Sequence, residues 1–159
     1  MQYGSQLIND VKINHVTVDG TNYVLAAGTS DVNTGIIDTR GFGGIAFLVQ
    51  LGVMAASSGV TIKVKQSAAS DMTGEVDVEG TSQTGSATDD DKMIGTDIFE
   101  PSERYVRLNI VRADGGDATI NAVYALQYNP IEAPVTQSTG AGQFVRTPEK
   151  FQRPAAGTA

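Results

Sequence analysis

The side chains that most often carry out catalysis are scarce in this sequence. His15 is the only histidine among the 159 residues, and there is no cysteine. A Ser-His-Asp triad would need His15 to find both of its partners, and no serine lies in the G-x-S-x-G sequence of a nucleophile elbow. His15 stands in "NHVTV", where the alternation of polar and apolar residues is broken, and this favours a half-buried or edge position over a catalytic one. We therefore predict that the protein is not an enzyme.

Metal and phosphate binding have equally little support. The acidic stretches "DDDK" (89–92) and "DGGD" (114–117) lack the alternating D-x-D-x-D-G spacing of a calcium loop. A metal site of the cupin type needs several histidine ligands. The "GFGG" run (41–44) is followed by a strand pattern, so no helix N-terminus is available to hold a phosphate. Arg104 and Arg107 are expected on a solvated strand face, and we predict no cofactor and no metal.

Charge is distributed unevenly along the chain. Residues 1–128 carry 16 acidic and 8 basic side chains, whereas residues 129–159 carry 2 acidic and 3 basic ones. An acidic body argues against direct binding of nucleic acid. No apolar run approaches the roughly 20 residues of a membrane span, and the N-terminus lacks the features of a secretory signal. These observations predict a soluble protein that binds neither nucleic acid nor a membrane directly.

Period-2 patterning predicts an all-β fold. Apolar residues alternate with polar ones in eight or nine short segments separated by turn residues, which is typical of a β-sandwich or barrel. Residues 80–91 are expected to form a solvated loop. The "IAFLVQL" segment (45–51) is almost continuously apolar, as in a central strand that is covered on both faces. The predicted strands lie at 11–18, 23–27, 34–39, 45–51, 60–65, 75–79, 93–99, 104–112 and 120–128.

The shared phase of the alternation also predicts the core and the domain organisation. Residues 129–159 hold four of the five prolines and show no alternation, so we divide the chain into a β-sandwich body (1–128) and an extended C-terminal arm (129–159). From about residue 136 onward we expect the arm to be mobile in the free protein. The predicted core contains Phe47, Val49, Ile62, Val64, Val106, Leu108, Ile110 and Leu126.

Several stretches in a fixed order resemble one family, the capsid cement or decoration proteins of tailed bacteriophages, of the jelly-roll type. The resemblance covers roughly residues 34–159, and the chain up to about Asn33 departs from it. It implies a jelly-roll-like β-sandwich of about eight short strands with an extended C-terminal arm. The stretches that carry it are "IIDTRGFGGIAFLVQLG", "VKQSAASDMTGEVDVEGT", "DIFEPSERYVRLNIVRADGG", "AVYALQYNPIEAPV" and the final "PAAGTA".

The resemblance implies a structural role in the virion. Such proteins sit on the outer surface of the capsid, are made in the host cytoplasm, and bridge neighbouring subunits of the major capsid protein. It also implies a homo-oligomer, with a dimer favoured. The arm would then be the docking element, because two phenylalanines and three basic residues are spaced along an otherwise small-residue segment. These expected capsid-binding residues are Phe144, Arg146, Lys150, Phe151 and Arg153.

Two alternatives follow from the residues. A carbohydrate-binding or adhesin module could use the same sandwich, although such modules usually present exposed aromatic rings, and this chain has no tryptophan and five tyrosines. Tyr124 and Tyr128 fall on an apolar strand face, which leaves few rings for sugar stacking. A hydrolase is the weaker alternative, because His15 would have to supply the whole of its acid–base chemistry.

Overall fold

The computed structural model describes residues 6–112, 117–146 and 148, and about half of them lie in two antiparallel sheets. A single turn of helix, α1 (Leu7–Asp10), precedes the first strand. Sheet A has four strands. In spatial order they are β1 (Lys12–Val16), β10 (Ala118–Pro130), β4 (Phe42–Met54) and β8 (Met93–Phe99).

Sheet B has six strands, of which two pairs of short strands share a partner. β2 and β3 both pair with β9, and β6 and β7 both pair with β5, which itself pairs with β9. The bounds are β2 (Val32–Asn33), β3 (Ile37–Asp38), β9 (Tyr105–Arg112), β5 (Gly59–Ser67), β6 (Val76–Asp77) and β7 (Gln83–Ser86).

Counting each pair of short strands as one gives eight strands in a jelly-roll arrangement. In chain order, sheet A then runs first, eighth, third, sixth, and sheet B runs second, seventh, fourth, fifth. Each sheet thus alternates strands from the two ends of the chain, as in a double Greek key. The predicted all-β jelly-roll sandwich is confirmed, although β4 and β10 are long, with 13 residues each.

The hydrophobic core lies between the two sheets. Seven of the eight predicted core residues have no exposed surface, and they come from β4, β5 and β9. Alternation places them on the inner face of each strand, because successive side chains point to opposite sides of a sheet. The seven are Phe47, Val49, Ile62, Val64, Val106, Leu108 and Ile110.

Leu126 is the exception, and the prediction for it is wrong. In β10 the neighbours Ala122 and Val123 are both buried, and the register with β4 shifts on either side of Ile120. Such a bulge moves the following side chains to the opposite face. Beyond it, Val123, Ala125 and Gln127 point into the core, while Tyr124, Leu126 and Tyr128 lie on the outer face of sheet A.

Two further strand predictions need correction. Residues 23–27 form no strand and contribute one bridge, between Leu25 and Ile120. The expected loop at 80–91 contains β7, which pairs with the margin of β5 through polar residues such as Thr84, whose hydroxyl lies 2.8 Å from that of Thr61. A strand made of polar and small residues has no apolar alternation, so patterning could not find it.

A buried arginine closes one end of the core. Arg112 is 7% exposed, and its guanidinium group donates hydrogen bonds to the backbone carbonyls of Ala26, Ser30 and Ala118 at 2.7–3.2 Å. Its own N–H donates to the Asp31 carboxylate at 3.1 Å. The guanidinium group thereby fixes the irregular segment between β1 and β2, where the chain has few backbone partners of its own.

Truncation of Leu108 to alanine tests the core. Because Leu108 is fully buried between the sheets, Leu108→Ala should lower the free energy of unfolding by about 2–5 kcal/mol. The matched control is Leu7→Ala, at a leucine that is 61% exposed and should change stability by less than about 0.5 kcal/mol. Urea denaturation measures both, and equal losses for the two variants would contradict the assignment.

Candidate binding surfaces

The C-terminal segment from residue 135 to residue 144, here called the strap, runs beside β1, along the edge of β1 that pairs with no other strand of sheet A. Val135 N–H donates to the carbonyl of Asn9. Further along, Gln137 reaches the peptide groups around Ile13, and Gln143 reaches those of His15. The expectation that the arm is mobile from residue 136 is therefore corrected for this stretch, which packs against the body.

Two glutamine side chains of the strap form hydrogen bonds with the peptide groups at the free edge of β1. Gln137 Oε1 accepts a hydrogen bond from the N–H of Ile13 at 3.0 Å, and its Nε2 donates to the carbonyl of Val11 at 2.6 Å. Gln143 binds both peptide groups of His15, accepting from its N–H at 3.2 Å and donating to its carbonyl at 2.6 Å. A primary amide carries a donor and an acceptor, as a peptide group does, so the two side chains replace a neighbouring strand.

His15 anchors the turn that carries Gln143. Its Nδ1 lies 3.0 Å from the carbonyl of Gly142, and because a carbonyl can only accept, Nδ1 carries the hydrogen in this contact. The imidazole ring lies between those of Tyr23 and Tyr124, with centroids 4.6 and 5.0 Å away. Tyr23 also donates its hydroxyl hydrogen to the Ala141 carbonyl at 2.6 Å. The predicted half-buried edge position of His15 is confirmed.

Gly142 is the residue that allows this close approach. Its φ of +70° is unfavourable for a side chain, and a Cβ there would overlap the ring of Tyr23. The strap also closes on itself through a bridge between Thr139 and Phe144. Between strap and body lies an open cleft of about 260 Å³, lined by Ile13, His15, Tyr124, Gly142, Gln143 and Phe144.

The expected capsid-binding residues do not form one group. Phe144 lines this cleft together with Ile13 and Tyr124 of the body. Arg146 is exposed, next to Val145, which is fully exposed. Lys150, Phe151 and Arg153 lie outside the described residues. Alternation does not single out Gln137 and Gln143, although they are the two amide side chains among the residues between 135 and 144.

The outer face of sheet A is apolar, and we call it the apolar face. The strand registers align its outward-facing side chains in rows across all four strands. At the β8 margin, Met93 and Phe99 are 60% and 62% exposed. The face consists of Ile13, His15, Gly44, Ala46, Leu48, Gln50, Met93, Gly95, Asp97, Phe99, Tyr124, Leu126 and Tyr128.

Asp97 is the one carboxylate on this face, and it is paired. Tyr128 donates its hydroxyl hydrogen to Asp97 Oδ1 at 2.8 Å. Burial, reinforced by this hydrogen bond, raises the pKa of Tyr128 to about 12, so the phenol stays protonated at neutral pH. The ring of Tyr128 lies where a side chain of Gly44 would be. The apolar face therefore presents little free charge.

The outer face of sheet B has the opposite character. Glu75 accepts hydrogen bonds from Lys65 Nζ at 2.9 Å and Arg107 Nε at 2.8 Å, and Lys63 pairs with Asp77 at 2.8 Å. Arg104 forms a two-bond contact with Asp38 beside it, consistent with the predicted solvated strand face. The acidic stretch at 89–92 also has a structural role, because the Asp89 carboxylate accepts hydrogen bonds from the N–H and the hydroxyl group of Ser86.

Comparison with known proteins leaves the chain without an identified family. No family model matches it, and no curated protein matches it. Within residues 6–112, 117–146 and 148, no three histidine, cysteine, aspartate or glutamate side chains are grouped so that they could hold a metal ion. None of the helices in that part of the chain is long and apolar enough to cross a membrane. The surfaces to be explained are therefore the strap and the two outer faces.

The glutamine contacts predict the exchange rates of two backbone amides. In Gln137→Ala the N–H of Ile13 loses its hydrogen-bond acceptor. In Gln143→Ala the N–H of His15 loses its acceptor. Each amide should exchange with solvent roughly fivefold faster, which corresponds to about 1 kcal/mol for the lost hydrogen bond. NMR-detected hydrogen exchange measures this, with Gln50→Ala on the exposed part of β4 as the control. Unchanged exchange rates at both amides would show that the strap does not hydrogen-bond to the free edge of β1.

Glu75 predicts an acid-dependent contribution to stability. Burial opposes its ionisation, but the hydrogen bonds from Lys65 and Arg107 outweigh burial and hold its pKa below the ordinary value of 4.5. A lowered folded-state pKa stabilises the fold above the unfolded-state pKa, and this stabilisation is lost as pH falls through the folded-state pKa. Glu75→Gln should therefore cost on the order of 1 kcal/mol at neutral pH and nothing once Glu75 is protonated.

Urea denaturation of wild type and Glu75→Gln across the acid range measures the difference. The exposed Glu79 provides the control, because Glu79→Gln removes the same charge without removing these two hydrogen bonds. A loss for Glu75→Gln that persists at the same size in strong acid would contradict the assignment.

Proposed function

We propose that this protein is a structural virion protein that binds the outer surface of a phage capsid and bridges neighbouring subunits of the major capsid protein. The sequence resemblance over residues 34–159 supports the proposal, as does the jelly-roll body that this resemblance implies. The observation that carries most weight is the strap, because it holds the root of the arm at one fixed margin of the body.

A fixed root makes docking of the arm less costly. Ordering one residue costs about 1–2 kcal/mol of backbone entropy, and burying one phenylalanine returns roughly 1.5–3 kcal/mol. If all of 129–159 had to be ordered on binding, two phenylalanines could not compensate. With residues 135–144 already held, the ordering cost of docking falls to that of 145–159, about half. Burial of Phe151 alone does not offset this remaining cost, so the proposal also needs backbone hydrogen bonds, as in addition of the arm as a strand to the edge of a capsid sheet.

The strap also changes which side chains could reach a capsid subunit. Phe144 already lines the cleft between strap and body, so Phe151 becomes the principal apolar anchor of the proposed interaction. Arg146, Lys150 and Arg153 would pair with acidic groups beside the Phe151 site. At about 3.3 Å per extended residue, the 15 residues after Phe144 reach up to about 50 Å, which is enough to cross a subunit boundary.

Carbohydrate binding receives less support from the described tyrosines. Sugar platforms need ring faces that are open to a ligand. The rings of Tyr23 and Tyr124 lie against His15, Tyr105 lies under the guanidinium group of Arg104 at 4.9 Å, and Tyr128 covers Gly44. We therefore propose capsid binding in preference to this alternative.

Co-sedimentation with assembled phage capsids tests the proposal. The full chain should sediment with the capsids. For a chain that ends at Val145, the fraction of occupied capsid sites at a fixed protein concentration should fall at least tenfold, because the apolar anchor Phe151 is missing. Phe151→Ala should lower this occupancy by a smaller factor. Moderate salt should reduce binding only in part, since apolar burial is screened little.

Val76→Ala is the control variant, because Val76 is 55% exposed on sheet B, whereas the strap lies beside β1 of sheet A. The chain ending at Val145 must also keep the slow exchange of the Ile13 amide, which shows that the strap is intact. Failure of the full chain to sediment would refute capsid binding itself. Full occupancy by the shortened chain would refute only the role of the arm.

A further inference from the structure

The two outermost strands of sheet A differ in how their free edges are hydrogen-bonded. At one edge, the peptide groups of β1 that point away from β10 are bonded by Gln137 and Gln143 of the strap. At the other edge, β8 pairs with β4 on one side, and no described strand pairs with it on the other side. An edge strand with free peptide groups is a template for pairing with another chain.

The ladder between β4 and β8 shows which peptide groups are free. The N–H of Leu51 donates to the carbonyl of Lys92, and the N–H of Glu100 donates to the carbonyl of Gly43. Because hydrogen-bonded pairs alternate with non-bonded pairs in an antiparallel ladder, the even-numbered residues of β8 are the ones bonded to β4. The N–H and C=O groups of its odd-numbered residues therefore point away from β4. Within residues 6–112, 117–146 and 148 these groups have no hydrogen-bond partner, and they belong to Met93, Gly95, Asp97 and Phe99.

β8 also lacks the features that usually protect an edge strand. Natural edge strands are very short, are bent by a bulge, or carry proline or lysine. β8 has seven residues, none of which is proline or lysine, and its register with β4 is continuous. The edge strands of sheet B, in contrast, have two to four residues each. The free edge of β8 is therefore the longest one that the described chain leaves open.

The surroundings of this edge indicate the composition of a fitting strand. Met93 and Phe99 are exposed on the outer side of sheet A, and Ile94 packs against the core on the inner side but is only partly buried. Side chains of an added strand would alternate between these two sides. The exposed carboxylates of Asp91 and Glu100 lie beyond the two ends of β8 and accept no hydrogen bond from a described residue. A fitting strand therefore carries apolar side chains and a basic one near its end.

A second copy of this chain fits the edge less well than such a strand does. Pairing of two β8 strands would bring Asp91, Asp97 and Glu100 of both copies to one shared edge. The formal net charge of −7 on each copy also opposes their association. A partner segment with basic residues meets no such repulsion and is attracted by the same carboxylates.

We infer that β8 accepts an extended segment of the capsid protein as an additional strand of sheet A, bonded to the outward peptide groups of Gly95 and Asp97, with a basic side chain beside Glu100. This contact rests on the proposed function, which supplies the partner. It lies at the opposite edge of sheet A from β1, where the root of the arm is held. Contacts at opposite edges let the body and the arm bind different subunits, as bridging requires.

Asp97→Pro tests strand addition, because proline removes the outward N–H of residue 97 and is tolerated on an edge strand at such a position. The matched control is Asp97→Ala, which also removes the carboxylate and its hydrogen bond with Tyr128 but keeps the N–H. In co-sedimentation with assembled phage capsids, Asp97→Pro should bind about tenfold more weakly than Asp97→Ala. Slow exchange of the Thr96 and Ile98 amides in Asp97→Pro would show that its ladder with β4 is intact.

Hydrogen exchange of the wild-type chain tests the same contact without a substitution, and it decides the matter if Asp97→Pro does not fold. In the free monomer, the amides of Gly95 and Asp97 should exchange rapidly, whereas those of Thr96 and Ile98 should exchange slowly. On capsids, mass spectrometry of a peptide that covers β8 should show additional protection, because the outward amides then have acceptors.

The possible outcomes separate this contact from the proposed function. If the wild-type chain binds capsids but β8 gains no protection and the two Asp97 variants bind equally, strand addition is refuted and the proposed function stands. If the wild-type chain does not bind capsids, the proposed function is refuted, and the inferred partner of β8 with it. Slow exchange of Gly95 and Asp97 in the free protein would also refute the inference: a second copy occupies the edge if protection rises with concentration, and the chain itself does if it does not.

Discussion

β1 is an edge strand, and the peptide groups on its outer side have no partner strand. How these groups are hydrogen-bonded determines which surfaces of the protein remain open to partners. β1 lies at the margin of sheet A, and a free margin invites pairing with other chains. Here the same chain returns and satisfies the margin with the side chains of Gln137 and Gln143. This contact fixes the root of the arm, shapes the cleft beside Tyr124, and leaves the faces of the sandwich and the free edge of β8 as the surfaces for partners.

The bulge in β10 determines the character of one of those faces. Without the change of phase at Ala122 and Val123, the side chains of Tyr124, Leu126 and Tyr128 would have pointed into the core. Because of it, they join Leu48 on the outside of sheet A. The outer face of sheet B carries hydrogen-bonded ion pairs instead. One side of the sandwich is therefore suited to water, and the other to a protein surface.

Alternation was sufficient to predict the fold class and most of the core, because β5 and β9 keep one phase over their whole length. It failed where phase depends on tertiary contacts: no local pattern marks the bulge in β10, so Leu126 was placed on the wrong face. Alternation also failed to predict β7, whose polar residues form a strand only because the edge of β5 opposite β9 is free to pair with them. The strap was missed for a similar reason, since Gln137 and Gln143 act through peptide groups more than 120 residues away.

The strap forms hydrogen bonds along the free edge of β1 within a single free chain. Nuclear Overhauser effects measured on a dilute, monomeric sample test this most directly. We expect cross-peaks from the ring of Phe144 to the side chains of Ile13 and Tyr124, together with slow exchange of the Gln137 and Gln143 side-chain amide protons. Random-coil chemical shifts for residues 135–144 without such cross-peaks would contradict it.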